Sequence, residues 1–104
     1  MDIKIKSNGF NTLFVQAAGR LDLDTSVEYG TTVKDAIEDS DTDIQEVVLD
    51  FSQITFISSF GLKIILELYK HMKDINGVLK LKDVSENLMN SFKMVGFDKF
   101  LVFE

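Results

Sequence analysis

The chain has 104 residues, of which 45% are hydrophobic, and it contains neither cysteine nor proline. A chain of this length can bury one core without metals or disulfides, so we predict a single domain spanning residues 1–104, and the lack of cysteine excludes thiolate chemistry. With 17 acidic and 11 basic residues and a net charge of −6, the protein is poorly suited to nucleic-acid backbones or anionic lipids; a basic protein partner suits it better.

The amino terminus predicts a hairpin. Residues 3–6 alternate between isoleucine and lysine, the turn-forming segment Ser7–Gly9 follows, and residues 12–18 resume an apolar run. This alternation also differs from a secretory signal, in which a basic region precedes an uninterrupted apolar core.

A first helix is predicted after the segment Gly19–Asp24, which leaves the sheet. Thr25 and Glu28 have the spacing of a capping box, so the helix is expected from about Ser26 to Asp39. Gly30 in its interior costs roughly 1 kcal/mol relative to alanine. The apolar residues that share its inner face are Tyr29, Val33, Ala36 and Ile37.

The centre of the chain joins a strand to a second helix. Val47–Phe51 is a short apolar, β-branched run, typical of a strand that is covered on both faces. After a polar turn the apolar period becomes helical, which places the start of the helix near Ser58–Phe60 and its inner stripe at Leu62, Ile65, Leu66, Tyr69 and Met72. Polar residues interrupt the apolar segment from Ile54 to Leu68 too often for it to span a membrane.

The remaining residues predict one more helix between two strands. Asn76–Gly77 ends the second helix, Val78–Lys82 is a strand, Ser85 caps a third helix that ends at Gly96, and Phe100–Phe103 is the last strand. The order of elements predicts an α/β fold, with an N-terminal hairpin, three crossover helices and a mixed, mostly parallel sheet of about five strands.

The two serines at the start of the second helix have two interpretations. The first backbone N–H groups of a helix lack internal partners and carry a partial positive charge, which favours a serine oxygen and favours a phosphate oxygen more. Ser58 or Ser59 could therefore be only an N-cap. The alternative is a hydroxyl that accepts phosphate.

Two separated segments resemble one known family. The family is that of the STAS-domain anti-sigma factor antagonists. Gly19–Thr25 resembles the Gly-x-Leu-Asp-x-x-Thr element of this family, and residues 47–52 and 56–62 resemble its strand and phosphorylation loop. The resemblance implies a cytoplasmic partner-switching protein. Unphosphorylated, such a protein binds an anti-sigma factor that is also a serine kinase, so that a sigma factor is released; phosphorylation reverses this, and a phosphatase restores the first state.

The resemblance also implies which residues act. The family's acceptor is the serine two residues before the Gly-Leu pair, which is Ser59 here, with Ser58 as a competing hydroxyl. Many members have aspartate before the acceptor and a small residue after it, whereas this chain has Ser58 and Phe60, and Phe60 could be an exposed anchor or a core residue. The residues expected to form the partner surface are Asp22, Asp24, Thr25, Ser58, Phe60 and Gly61.

On this interpretation the protein is not an enzyme and holds no cofactor or metal, because the kinase brings ATP and magnesium. The chain has no Gly-x-x-x-x-Gly-Lys loop, and His71 is its only histidine, which makes a Ser-His-Asp arrangement or a zinc site improbable. Neither direct nucleic-acid binding nor membrane insertion is expected.

Two other functions remain open. Asp50, at the end of a central strand, could hold magnesium together with Asp22 and Asp24 and accept phosphate as an aspartyl receiver does. Alternatively, the resemblance allows a STAS subunit of a transporter or a signalling assembly in which no serine is phosphorylated.

Overall fold

A computed structural model describes all 104 residues. The strands are β1 (Ile3–Ser7), β2 (Thr12–Ala17), β3 (Gly19–Leu21), β4 (Glu46–Asp50), β5 (Ile54–Ile57), β6 (Val78–Lys82) and β7 (Val102–Phe103). The helices are α1 (Leu23–Glu38), α2 (Ser59–Asp74) and α3 (Glu86–Met94), with a short 3-10 helix at Phe97–Lys99. None of the helices combines the length and the apolar content needed to span a bilayer.

The main sheet has five strands in the order β1-β2-β4-β6-β7. β1 and β2 pair antiparallel, and each of the other neighbours is parallel, so the predicted hairpin and the mixed, mostly parallel sheet are confirmed. The last strand is shorter than the predicted Phe100–Phe103, because the N–H groups of Phe100 and Leu101 donate to the Phe97 carbonyl and extend the turn of the preceding 3-10 helix.

A second, two-stranded sheet joins β3 to β5, and the sequence did not predict it. The sequence predicts a polar turn between Phe51 and Ser58. In the structure residues 54–57 of that segment form a parallel strand beside residues 19–21. This small sheet places the starts of α1 and α2 next to each other.

The core lies on one side of the main sheet, under the helices. Alternate residues of the strands point into it: Leu13, Val15, Val47, Leu49, Leu79 and Leu81. Val47, Val48 and Leu49 of the central strand are all buried, as the prediction of a strand covered on both faces requires. No helix lies over the second face of the sheet, however, and Phe14 and Lys82 of the neighbouring strands are exposed there. We call this uncovered side the outer face. Val48 points to it and is nevertheless buried.

The two long helices pack closely because α1 contains a glycine. A Cβ atom at Gly30 would lie 2.8 Å from Ile64 Cγ2 of α2. The unfavourable helix propensity of Gly30 is therefore offset by a close interhelical approach.

The predicted start of the first helix is wrong by three residues. The helix begins at Leu23, and its N-cap is Asp22, which forms the capping box with Thr25; the predicted box of Thr25 and Glu28 is absent. The Glu28 carboxylate instead pairs with the amino terminus of Met1 at 2.9 Å. For the other helices, the N-cap Ser85 of α3 and the start of α2 are confirmed.

Candidate functional site

The candidate site lies where β3 and β5 end. Arg20 pairs with Phe56 and Leu21 with Ile57 in the small sheet, and the Ser58 N–H donates to the Leu21 carbonyl at 2.9 Å. Both strands lead directly into helices, so the loop that contains Asp22 and the loop that contains the two serines are held together by backbone hydrogen bonds.

The two serines differ in what their hydroxyls do. Ser58 is the N-cap of α2, and its Oγ accepts a hydrogen bond from the Gly61 N–H at 3.1 Å. Ser59 is the first residue of the helix; its side chain is exposed and forms no hydrogen bond within the chain. The Ser58 oxygen is thus occupied in the cap, whereas the Ser59 hydroxyl is free and accessible.

Gly61 is required by close packing of the first turn of α2. A Cβ atom at this position would lie 2.7 Å from Ile57 Cγ1 and 2.9 Å from the Leu21 carbonyl oxygen. It would also approach the Oγ of Ser26, a fully buried hydroxyl without a partner in the chain, at 3.2 Å. The absence of a side chain at Gly61 therefore allows the first turn of α2 to pack closely against both β3 and α1.

The acidic loop is ordered by its own capping box. Asp22 Oδ1 accepts from the Thr25 N–H at 3.2 Å, and the Thr25 hydroxyl accepts from the Asp22 N–H at 3.0 Å. The Thr25 hydroxyl also lies 2.6 Å from the Arg20 carbonyl. The hydrogen bonds from Thr25, first from its backbone and then from its side chain, lower the pKa of Asp22 below its usual value. Asp24 is exposed in the first turn of the same helix.

Exposed apolar side chains surround the two loops. Leu23 is 61% exposed and Val27 48% exposed, one turn apart on α1, and Phe56 of β5 is 38% exposed. The Arg20 guanidinium stacks over the Phe56 ring, 4.1 Å from its centroid. Phe60 is half-buried: its ring packs against the core, and Lys63 Nζ lies 5.8 Å from the ring centroid.

A shallow groove of about 180 Å³ continues this surface between the two long helices. Val27 and Ile64 form its apolar walls, and Lys34 and Glu67 lie at its far end, 4.0 Å apart. We define the serine face by Leu23, Val27, Phe56, Ser59 and Phe60.

The family model of the STAS domain matches residues 3–104. The chain belongs to the STAS domain family. The Gly19–Thr25 and 56–62 segments, on which the sequence resemblance was based, both lie inside the matched range and meet at the candidate site.

Solved structures with the same fold include several anti-sigma factor antagonists. An anti-sigma factor antagonist from Mycobacterium paratuberculosis is 20% identical, with a TM-score of 0.82 over 98% of this chain and 83% of that one. The phosphorylated form of the Bacillus cell fate determinant SpoIIAA is 16% identical, with a TM-score of 0.75 over 99% of this chain and 91% of that one.

The fold is also found in a transporter. Murine Solute Carrier 26 family member A9, an anion transporter, is 17% identical, with a TM-score of 0.75 over 86% of this chain but only 14% of that one. At these identities the structural likeness concerns the fold.

Sequence reasoning missed four residues of this STAS domain's site. Arg20 and Phe56 come together only through the small sheet, which the sequence did not predict. Leu23 and Val27 are apolar residues one turn apart, outside the inner stripe of α1, and that spacing was a readable signal of a second apolar face.

The carboxylates proposed for a receiver-like metal site do not come together. Asp50 accepts from the Ser52 N–H at 2.8 Å and lines a groove on the outer face, beside Gln16. Asp22 and Asp24 lie at the start of α1, and the three do not form a cluster that could hold a metal ion. The magnesium site that the receiver interpretation requires is therefore not formed by these three carboxylates.

Proposed function

We propose that this STAS domain is an anti-sigma factor antagonist that acts by partner switching. In its unphosphorylated form it binds, through the serine face, an anti-sigma factor that is also a serine kinase, and the sigma factor is released. Phosphorylation of Ser59 ends this binding, and a phosphatase reverses it. The protein would act in the cytoplasm and would not itself be a catalyst.

One observation carries the proposal: the Ser59 hydroxyl is exposed at the first turn of α2 and forms no hydrogen bond within the chain. The kinase would supply ATP and magnesium. The Ser59 oxygen would attack the γ-phosphorus, ADP would leave, and a base of the kinase would take the hydroxyl proton. Ser58 is the alternative acceptor, but its oxygen caps the helix through the Gly61 N–H.

The switch follows from charge. A phosphate adds about −1.5 to −2 charges and three acceptor oxygens. The partly positive start of α2 would stabilise it, and Lys63, four residues after Ser59, would lie on the same side of the helix. A partner docked on Leu23, Val27 and Phe60 would then have to desolvate a dianion. A loss of about 3 kcal/mol lowers the affinity roughly a hundredfold.

The acidic loop would supply the polar part of the same surface. The hydrogen bonds that Thr25 donates to Asp22 lower the pKa of its carboxyl and further favour the charged form, and Asp24 is free for a cation of the partner. Both charges would also repel a phosphate on Ser59, which would increase the difference in partner affinity between the phosphorylated and the unphosphorylated protein.

The test uses the cognate kinase, Mg-ATP and intact-protein mass spectrometry. We expect one phosphate on the wild type and on Ser58→Ala, and none on Ser59→Ala; Ser52→Ala is the matched control at another exposed serine of the chain. Ser59→Asp should weaken kinase binding at least about tenfold, whereas Ser59→Ala should retain it. Full labelling of Ser59→Ala would transfer the acceptor role to Ser58, and unchanged kinase binding by phosphorylated protein would refute the switch.

A second function is favoured by the match to the transporter, in which the fold is a small part of a much longer chain. In that case the domain would be a structural subunit and Ser59 would not be modified. Co-purification with a transporter subunit in place of an ATP-binding kinase would identify this function.

A further inference from the structure

We propose that the outer face of the main sheet is a second docking site, which binds an acidic amphipathic helix of a partner protein. This site is independent of the serine face, which is built from the small sheet and the helices on the other side of the main sheet. Three features of the outer face support this site: the cross-strand register, the exposed ring of Phe14 and the unpaired lysines.

The register arranges the outer face as two rows across the strands. One row contains, in order from β1 to β6, Lys6, Phe14, Val48 and Lys80. The next row contains Lys4, Gln16, Asp50 and Lys82. Lysines therefore form a column on β1 and another on β6, and four of the eleven basic residues of an acidic chain lie on this one face.

The spacing of the two columns matches the width of a helix. β1 and β6 are three strand spacings apart, which is roughly 14 Å. An α-helix with its side chains is about 10–12 Å wide. A helix that lies along β2 and β4 would therefore have one lysine column on each flank.

The floor between the columns is apolar at one end. Phe14 is 46% exposed on a sheet face that no element of the chain covers, and Val48 lies beside it in the row. A groove of about 220 Å³ opens over Phe14, Val48 and the neighbouring Lys4, Lys6 and Lys82. This groove would receive large apolar side chains of the docked helix, in the way that buried anchors supply most interface energy.

The charges specify an acidic occupant. Lys4, Lys6 and Lys82 form no ion pair within the chain, whereas Lys80 is held by Glu46 at 2.9 Å and by Glu104 at 3.5 Å. Asp50, the carboxylate in the floor, already accepts from the Ser52 N–H and lies 3.5 Å from Gln16 Nε2. A flat anionic membrane is a poorer fit, because the lysines stand in two columns on either side of a groove, an arrangement that matches the two flanks of a helix.

The test titrates the full chain into a fluorescein-labelled peptide that has leucines on one helical face and glutamates along both flanks. We expect binding to be weakened at least about tenfold in the double variant Lys4→Glu/Lys82→Glu. The matched control, Lys70→Glu/Lys93→Glu, changes the charge equally at exposed lysines of α2 and α3 and should bind as the wild type does. Phe14→Ala, which keeps every charge, should also weaken binding.

Circular dichroism and thermal unfolding would verify that each variant is folded. Three results would overturn the proposal: the wild type does not bind the peptide, the two double variants bind it equally, or the wild type prefers a version of the peptide that is flanked by lysines. Lysine-dependent binding of phosphatidylglycerol vesicles without binding of the peptide would also overturn it. Ser59→Asp should leave peptide affinity unchanged, so failure of this proposal and failure of the phosphoserine switch would be distinguished.

Discussion

At the scale of single residues, the site depends on side chains whose hydrogen bonds are already satisfied beside others that are left free. The Ser58 oxygen and the Asp22 carboxylate are both engaged by helix N–H groups. Ser59 and Asp24 are exposed next to them. Caps hold the loops in place, and the free groups remain available for chemistry or for contact with a partner.

The Asp22 cap predicts a dependence of stability on pH. Because its pKa is lowered in the folded protein, the charged cap stabilises the fold above the unfolded-state pKa of about 3.9, and this contribution is lost as the pH falls through the folded-state value. Asp22→Ala should therefore lower the thermal unfolding midpoint at about pH 7, and its difference from the wild type should shrink in acid. Asp22→Asn, which keeps an acceptor oxygen, is the control and should behave closer to the wild type at neutral pH. A difference that stays constant down to about pH 2 would contradict the assignment.

At the scale of elements, the small sheet formed by β3 and β5 determines the geometry of the site. It aligns the ends of two strands, so that two helices start side by side, and Gly61 allows the first turn of α2 to rest on the Leu21 carbonyl. Removing this close approach should disturb the serine loop without changing any functional group.

We expect Gly61→Ala to reduce the free energy of unfolding by about 1–3 kcal/mol, because the new methyl group meets Ile57 and the Leu21 backbone. It should also slow phosphorylation of Ser59. Ser59→Ala, which removes a hydroxyl oxygen at an exposed position two residues earlier, is the control and should unfold close to the wild type. Chemical denaturation measures the free energy of unfolding of the two variants. A neutral or stabilising effect of Gly61→Ala would show that the serine loop relaxes around the new methyl group.

The sequence predicted the elements with strong periodicity and missed those without it. α2, β6 and the hairpin follow from apolar spacing, and the serines were correctly expected at a helix start. β3 and β5 have three and four residues, too few to show a period, so their pairing was not predictable. Asp22 and Thr25 are both good caps three residues apart, and only the fold decides between them.

The outer face shows a second limit of predicting burial from the sequence. Val47, Val48 and Leu49 are consecutive apolar residues, and such a run indicates a strand covered on both sides. In the structure Val48 is buried on a face that has no helices, so its burial comes from its strand neighbours. Neighbouring strands cannot be inferred from one strand's composition.

At the scale of the whole molecule, the net charge of −6 predicts how a basic kinase would be captured. Long-range attraction raises the association rate, and salt screens it over a Debye length of about 10 Å at 0.1 M. Stopped-flow association should slow by at least about threefold between roughly 50 and 300 mM NaCl, with a smaller change in dissociation. Asp24→Asn should reduce the salt dependence. An association rate that is independent of salt would show that long-range electrostatic attraction does not contribute to kinase binding.

The two borders of the main sheet have a consequence for the behaviour of the protein at high concentration. On one border β1 carries the ammonium groups of Lys4 and Lys6, and on the other β7 offers only two residues of backbone. Charged or very short border strands are poor templates for the strand of another molecule. The protein is thereby protected from sheet-to-sheet polymerisation.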